Sequence, residues 1–160
     1  MIQDNNSLLV RLKSNNVPLV VIGGVCCAYY GVPLATFDLD ICCPFNDQTL
    51  NGIQVSVHDL HPFHRLTPNK LPFELNPELR SSLKNLYLQT DIGKLDCLSE
   101  VAGVGNYDDA LRESVLANLS YGEFRFLNID ALIKAKEAAA RDRDLAALRF
   151  LRPIRERLRG

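Results

Sequence analysis

The residues best placed to do chemistry are two aspartates one residue apart, Asp38 and Asp40 in Thr36-Phe37-Asp38-Leu39-Asp40. On a strand, alternate residues project from one face, which sets these carboxylates side by side about 6 to 7 Å apart along the chain. Two like charges held there repel unless a cation sits between them. A hard divalent cation with oxygen ligands, Mg2+ or Mn2+, meets that need and keeps open positions for water and phosphate oxygens. Thirteen residues separate Asp38 from the pair Gly23-Gly24, which follows the apolar run Leu19-Val20-Val21-Ile22. Free N–H groups and the dipole at a strand-to-helix turn favour an anion, and glycine lets a phosphate come close. The same glycines would also serve a tight turn and close helix packing. A cation site beside an anion cradle is what metal-assisted phosphoryl or nucleotidyl transfer requires. Asp96, in the middle of the apolar stretch Lys94-Leu95-Asp96-Cys97-Leu98, is the candidate third carboxylate of a two-metal site. Thr36 either reaches a phosphate or caps the turn.

The elements that must position these residues follow from the apolar pattern. Asn5 or Ser7 is expected to cap a first amphipathic helix that ends at Asn15-Asn16. Residues 19–22 read as a buried strand and 25–30 as a helix of about two turns, with a second strand over 37–43 stopped by Pro44. From 47 to 60, Leu50, Ile53, Val57 and Leu60 recur at helical steps. The stretch 61–77 holds four prolines and no period, and is expected to be a long surface loop, a candidate lid. Residues 86–90 and 94–98 read as a hairpin, 108–111 as a helical turn, and 114–119 with 123–127 as a further hairpin or a pair of edge strands. Asn128 or Asp130 is expected to cap the first of two closing helices, over 131–140 and about 142–158. The order predicts an α+β fold, a mixed sheet flanked by helices with a helical C-terminus, forming one domain over 1–160.

Composition narrows the class. The chain of 160 residues is 47% hydrophobic and 23% charged, with a net charge of -1. That balance speaks against a protein that grips nucleic acid mainly through phosphates, and stable DNA binding is not expected. The apolar runs 18–22 and 24–30 fall far short of the roughly 18 to 20 residues that span a bilayer, so no membrane partner is expected. Asp4, Arg11 and Lys13 interrupt the first twenty residues and argue against a secretory signal, which leaves a cytoplasmic protein. Cys26-Cys27, Cys42-Cys43 and Cys97 have no metal-ligand spacing and are expected to be reduced, buried thiols.

Four blocks carry a resemblance: Val21-Ile22-Gly23-Gly24; Thr36-Phe37-Asp38-Leu39-Asp40; Gly93-Lys94-Leu95-Asp96; and Asp130-Ala131-Leu132-Ile133-Lys134-Ala135-Lys136 with Arg141-Asp142-Arg143-Asp144. They resemble the nucleotidyltransferase superfamily of the DNA polymerase beta type, and within it the small bacterial AbiEii-like proteins. The resemblance implies Asp38, Asp40 and Asp96 as metal ligands and catalytic carboxylates, Gly23 and Gly24 as phosphate-binding, and Lys136 as a nucleotide contact. It implies transfer of a nucleoside monophosphate from a triphosphate to a hydroxyl on a protein, a tRNA end or a small molecule, and a role as the toxin of a toxin-antitoxin pair. Many relatives have arginine near Ala35, and in catalytic members serine often follows the first glycine, where Gly24 stands here. The rival expectation is a non-catalytic nucleotide-binding or interaction module of the same fold, serving a cognate protein partner.

Other charged groups have plainer readings. Asp144 is expected to pair with Arg141 or Lys136 rather than bind metal, and Lys136 itself is either a nucleotide contact or a solvated lysine. His58, His61 and His64 have poor zinc spacing across Pro62, and His61, His64 and Arg65 read instead as substrate or phosphate contacts on the lid. Arg149, Arg152, Arg155, Arg157 and Arg159 form a solvated helix face.

Overall fold

A computed structural model describes residues 2–160. The first helix, α1 (Asn5–Ser14), is capped by Asp4, whose carboxylate accepts from the Ser7 N–H and hydroxyl. The cap thus precedes both expected candidates, and Ser7 is the donor rather than the acceptor. β1 (Val20–Ile22) is wholly buried and runs directly into α2 (Gly23–Tyr29). β2 (Leu39–Cys42) follows, shorter than the expected 37–43, so Asp38 lies one residue before the strand. α3 (Asp47–Val57) starts at Asn46, which accepts from the Thr49 N–H, and ends in a 3-10 turn over His58–Leu60.

The expected irregular loop over 61–77 is more ordered than its prolines suggested. β3 (Phe63–His64) adds an edge to the sheet, Phe63 bridges back to Pro72, Thr67 closes the turn between them, and Phe73 is buried. A strand of two residues has no period to read, which is why the pattern missed it. α4 (Pro77–Ser82) was also missed, although Asn76 caps it and Pro77 occupies its first position.

β4 (Asn85–Thr90) and β5 (Gly93–Leu98) form the expected hairpin. A small two-stranded sheet, β6 (Glu100–Val101) with β7 (Gly105–Asn106), leads to α5 (Tyr107–Arg112). β8 (Ser114–Leu119) and β9 (Gly122–Leu127) form the second hairpin, and Asn128 caps α6 (Ile129–Ala139) ahead of the long α7 (Asp142–Arg159).

Seven strands make one mixed sheet in the order β3-β4-β5-β2-β1-β9-β8. β2 runs antiparallel to β1 and parallel to β5, and β1 runs parallel to β9. The molecule is α+β, and a continuous apolar core joins α1, the sheet, α3, α6 and α7, with Leu9, Ile41, Ile53, Leu95, Leu132 and Leu151 inside it. All five cysteines are free and buried in that core. Among the described residues no helix is long and apolar enough to cross a membrane.

Candidate functional site

The sheet register brings the aspartates together. Ile22 is opposite Asp40 across the β1–β2 pair, and Asp40 is opposite Asp96 across the parallel β2–β5 pair. Residues opposite each other in a sheet share a face, so Asp40 and Asp96 project side by side while Leu39, Ile41, Leu95 and Cys97 enter the core on the other. Asp38, two residues before Asp40, reaches the same place. One carboxylate oxygen from each of the three lies within 4.8 Å of the others. Among the described residues this is the one group of three or more His, Cys, Asp or Glu side chains so placed.

The trio is crowded and short of positive charge. Burial first, then the charges of Asp38 and Asp96, push the Asp40 carboxyl up to about 7. Asp38 is raised as well, by burial and then by Asp96, with Arg143 and Arg65 pulling the other way. Raised carboxyls next to one another favour either a shared proton or a cation. Three carboxylate oxygens within such a span are a donor set that fits a hard divalent ion. Asp38 and Asp40 are the residues that would hold it, with Asp96 beside them.

The two glycines have specific neighbours. Gly23 has a φ of 66°, and a Cβ built there would lie 2.9 Å from the Cβ and Cγ of Asp40. Only glycine lets the β1–α2 junction press against the Asp40 side chain. At Gly24 an added Cβ would meet Thr36 Cγ2 at 2.8 Å. Gly23 thus packs closely on Asp40, and Gly24 on Thr36.

Two clefts meet at the trio. One, of about 360 Å3, opens between the sheet and α6 and is lined by Asp38, Asp40, Asp96, Arg65, Tyr87, Leu132, Ala135, Lys136, Arg141 and Arg143. The other, of about 200 Å3, has a more apolar wall of Val32, Leu34, Phe37 and Ala147, with Gly24 and Thr36 at its base. Gly23, Asp38, Asp40, Lys136, Arg141 and Arg143 line both. Phe37 at the second cleft is 73% exposed, an unusual position for a large aromatic ring.

Lys136 is not a solvated lysine. Its side chain is 11% exposed and donates to Asp144 Oδ1 at 3.1 Å. Asp144 is wholly buried and also accepts from Arg141, through the backbone N–H at 3.1 Å and Nε at 2.8 Å. Asp144 thus pairs with both partners named for it, and it fixes Lys136 and Arg141 at the cleft wall.

Arg65 is the residue that the sequence placed least well. The pattern points to a lid contact beside His61 and His64, whereas its guanidinium grips Asp96. His61 pairs with Asp91 at 2.6 Å, and His64 meets the edge of Phe73, so neither joins the trio. In the C-terminal helix, Arg152 reaches Glu137 and Arg159 reaches Asp130, which ties part of the expected solvated face of α7 to α6. No family model matches the chain, and no curated protein matches it either.

Proposed function

We propose that this chain has the nucleotidyltransferase fold and is a metal-dependent nucleotidyltransferase, moving a nucleoside monophosphate from a triphosphate to a hydroxyl acceptor with release of pyrophosphate. The single observation that supports it best is the carboxylate trio, assembled on two neighbouring strands and the residue just before one of them, with an oxygen of each within 4.8 Å of the others and Asp40 pushed up to about 7. The four sequence blocks that resemble nucleotidyltransferases meet at this trio, since Gly23 abuts Asp40 and Lys136, Arg141 and Arg143 line the facing wall.

The charges divide the labour. Asp38 and Asp40 hold the divalent ion, and Asp96 completes the acidic set. When bound, such an ion neutralises phosphate charge and makes the phosphorus a better electrophile. Lys136, Arg141 and Arg143 offer cations to the triphosphate from the opposite side. Asp144 bonds to both Lys136 and Arg141, so their positions are set before the nucleotide arrives. Two adjoining clefts, both lined by Asp38 and Asp40, give room for a donor and an acceptor next to the carboxylates. The acceptor is a hydroxyl of a protein side chain, a tRNA end or a small molecule. A cytoplasmic location, amid the nucleotide pool, and a role as the toxin of a toxin-antitoxin pair with a cognate protein partner go with this reading through the AbiEii-like resemblance.

Thermal-shift and calorimetric titration with ATP, GTP, CTP and UTP, with and without Mg2+, tests it on wild type and on the Asp38→Ala/Asp40→Ala variant. A ligand at a hundredfold excess over its Kd stabilises the fold by about 2.7 kcal/mol. The expected result is stabilisation by at least one nucleotide that needs Mg2+ and is lost in the double variant. Absence of any response to all four nucleotides overturns the reading.

A further inference from the structure

Arg65 belongs to the same row of the sheet as the carboxylates. Beyond β3 the pairing continues, with the Arg65 N–H donating to the Tyr87 carbonyl at 3.0 Å, and Tyr87 is the register partner of Asp96. Arg65, Tyr87, Asp96, Asp40 and Ile22 therefore lie in line across five strands. From that place Nη2 donates to Asp96 Oδ2 at 2.8 Å, while Nη1 bonds to Asp96 Oδ1 and to the Leu88 carbonyl at 3.3 Å. Nη2 is also 3.9 Å from Asp38 Oδ2. The Tyr87 ring lies 5.7 Å from the guanidinium. The Arg65 side chain is 17% exposed and that of Asp96 9%, so this forked pair is mostly sheltered from water. A planar fork on both oxygens of one carboxylate, with its backbone tied into the sheet, is a fixed cation rather than a drifting surface charge.

The remaining charges point to a count. Among the described residues no donor reaches Asp40, whereas both oxygens of Asp96 are engaged. One guanidinium and one divalent ion balance three carboxylates, and Arg143, which acts on Asp38 and Asp40 from the cleft wall, leaves still less charge for a second ion. A second ion placed between Asp38 and Asp96 would sit against the guanidinium that already faces both. Resting on the metal-site reading above, we infer that Arg65 stands in for a second ion, so the site takes one divalent ion, on Asp38 and Asp40, and Asp96 is the anchor of Arg65. Positive charge on the Asp96 side is then part of the chain itself and does not vary with the concentration of the metal.

Counting Mn2+ bound per chain, by equilibrium dialysis with and without a non-hydrolysable triphosphate analogue, tests this. The expected count is one for wild type and for Arg65→Lys, which keeps the charge. It is two for Arg65→Gln, returning to one in Arg65→Gln/Asp96→Asn. Circular dichroism checks that each variant is folded. Two ions on wild type, or one on folded Arg65→Gln, overturns the inference and leaves the metal reading standing; the wild-type count decides even where Arg65→Gln does not fold. No bound Mn2+ on any of these proteins overturns both.

Discussion

Asp144 and Asp40 line the same cleft, yet their surroundings drive them in opposite directions. Asp144 is wholly buried, and burial by itself would push its carboxyl up; the bonds from Arg141 and Lys136 outweigh that and hold it below the usual carboxylate range. Asp40 is less buried, but its nearest charged neighbours in the sheet are Asp38 and Asp96, and its carboxyl rises to about 7. Burial does not separate them; donors do. The chain completes the charge of Asp144 from within, whereas Asp40 is crowded by carboxylates of its own kind.

The largest effect that tests this contrast is on Asp144. Asp144→Ala leaves the sheltered Lys136 ammonium without its buried partner, and unfolding in urea should show a loss of about 3 to 5 kcal/mol. A loss below about 1 kcal/mol would erase the distinction between the two carboxylates.

Asp40 should respond with the opposite sign. Its folded pKa lies above the unfolded value, so the stability it contributes is present below about pH 4 and is lost as pH climbs through about 7. In metal-free buffer Asp40→Asn should therefore be the more stable protein at pH 8, by an amount on the order of 1 to 3 kcal/mol, and should match wild type near pH 4. Melting curves across that range decide it, and wild type falling no faster than the variant would count against a crowded trio.

Gly23→Ala comes next. It places a methyl on Asp40 at a left-handed φ, and should cost about 1 to 2 kcal/mol in chemical denaturation. It should also weaken Mn2+ binding, because Asp40 is what gives way; full retention of both would show that the junction has slack. The smallest expected change is at Arg152, half-exposed at 52% and 3.5 Å from Glu137. Arg152→Ala should alter stability by less than about 1 kcal/mol, which sets the scale of an ordinary surface pair against the two buried acids.

The carboxylates were legible in the sequence for a simple reason: alternate residues on a strand share a face, and an aspartate amid Leu95, Cys97 and Leu98 demands an explanation. The main helices and both hairpins were legible through apolar period and turn residues, and the choice of partners for Asp144 through helical spacing. Arg65 was not, because its position depends on a strand of two residues and on the register of β3 against β4, neither of which leaves a local pattern. The packing of Gly23 on Asp40 was hidden likewise, since it arises from strand neighbours far apart in the chain. The caps differ in kind: Asp4 stands beside two equally plausible cap residues, and Asn76-Pro77 is a helix start whose signal lies inside a proline-rich stretch.

The parallel pairing of β2 with β5 also bears on how the molecule assembles in time. Asp40 and Asp96 meet only after the intervening helix, edge strand and hairpin have been gathered in, so the trio is absent from any partly folded chain that lacks this crossover. Any ligand that draws on both strands would have nothing to hold at the early barrier. Such a ligand would slow escape from the finished state and leave the rate of reaching it unchanged, so its mark would fall on the unfolding arm of a chevron alone.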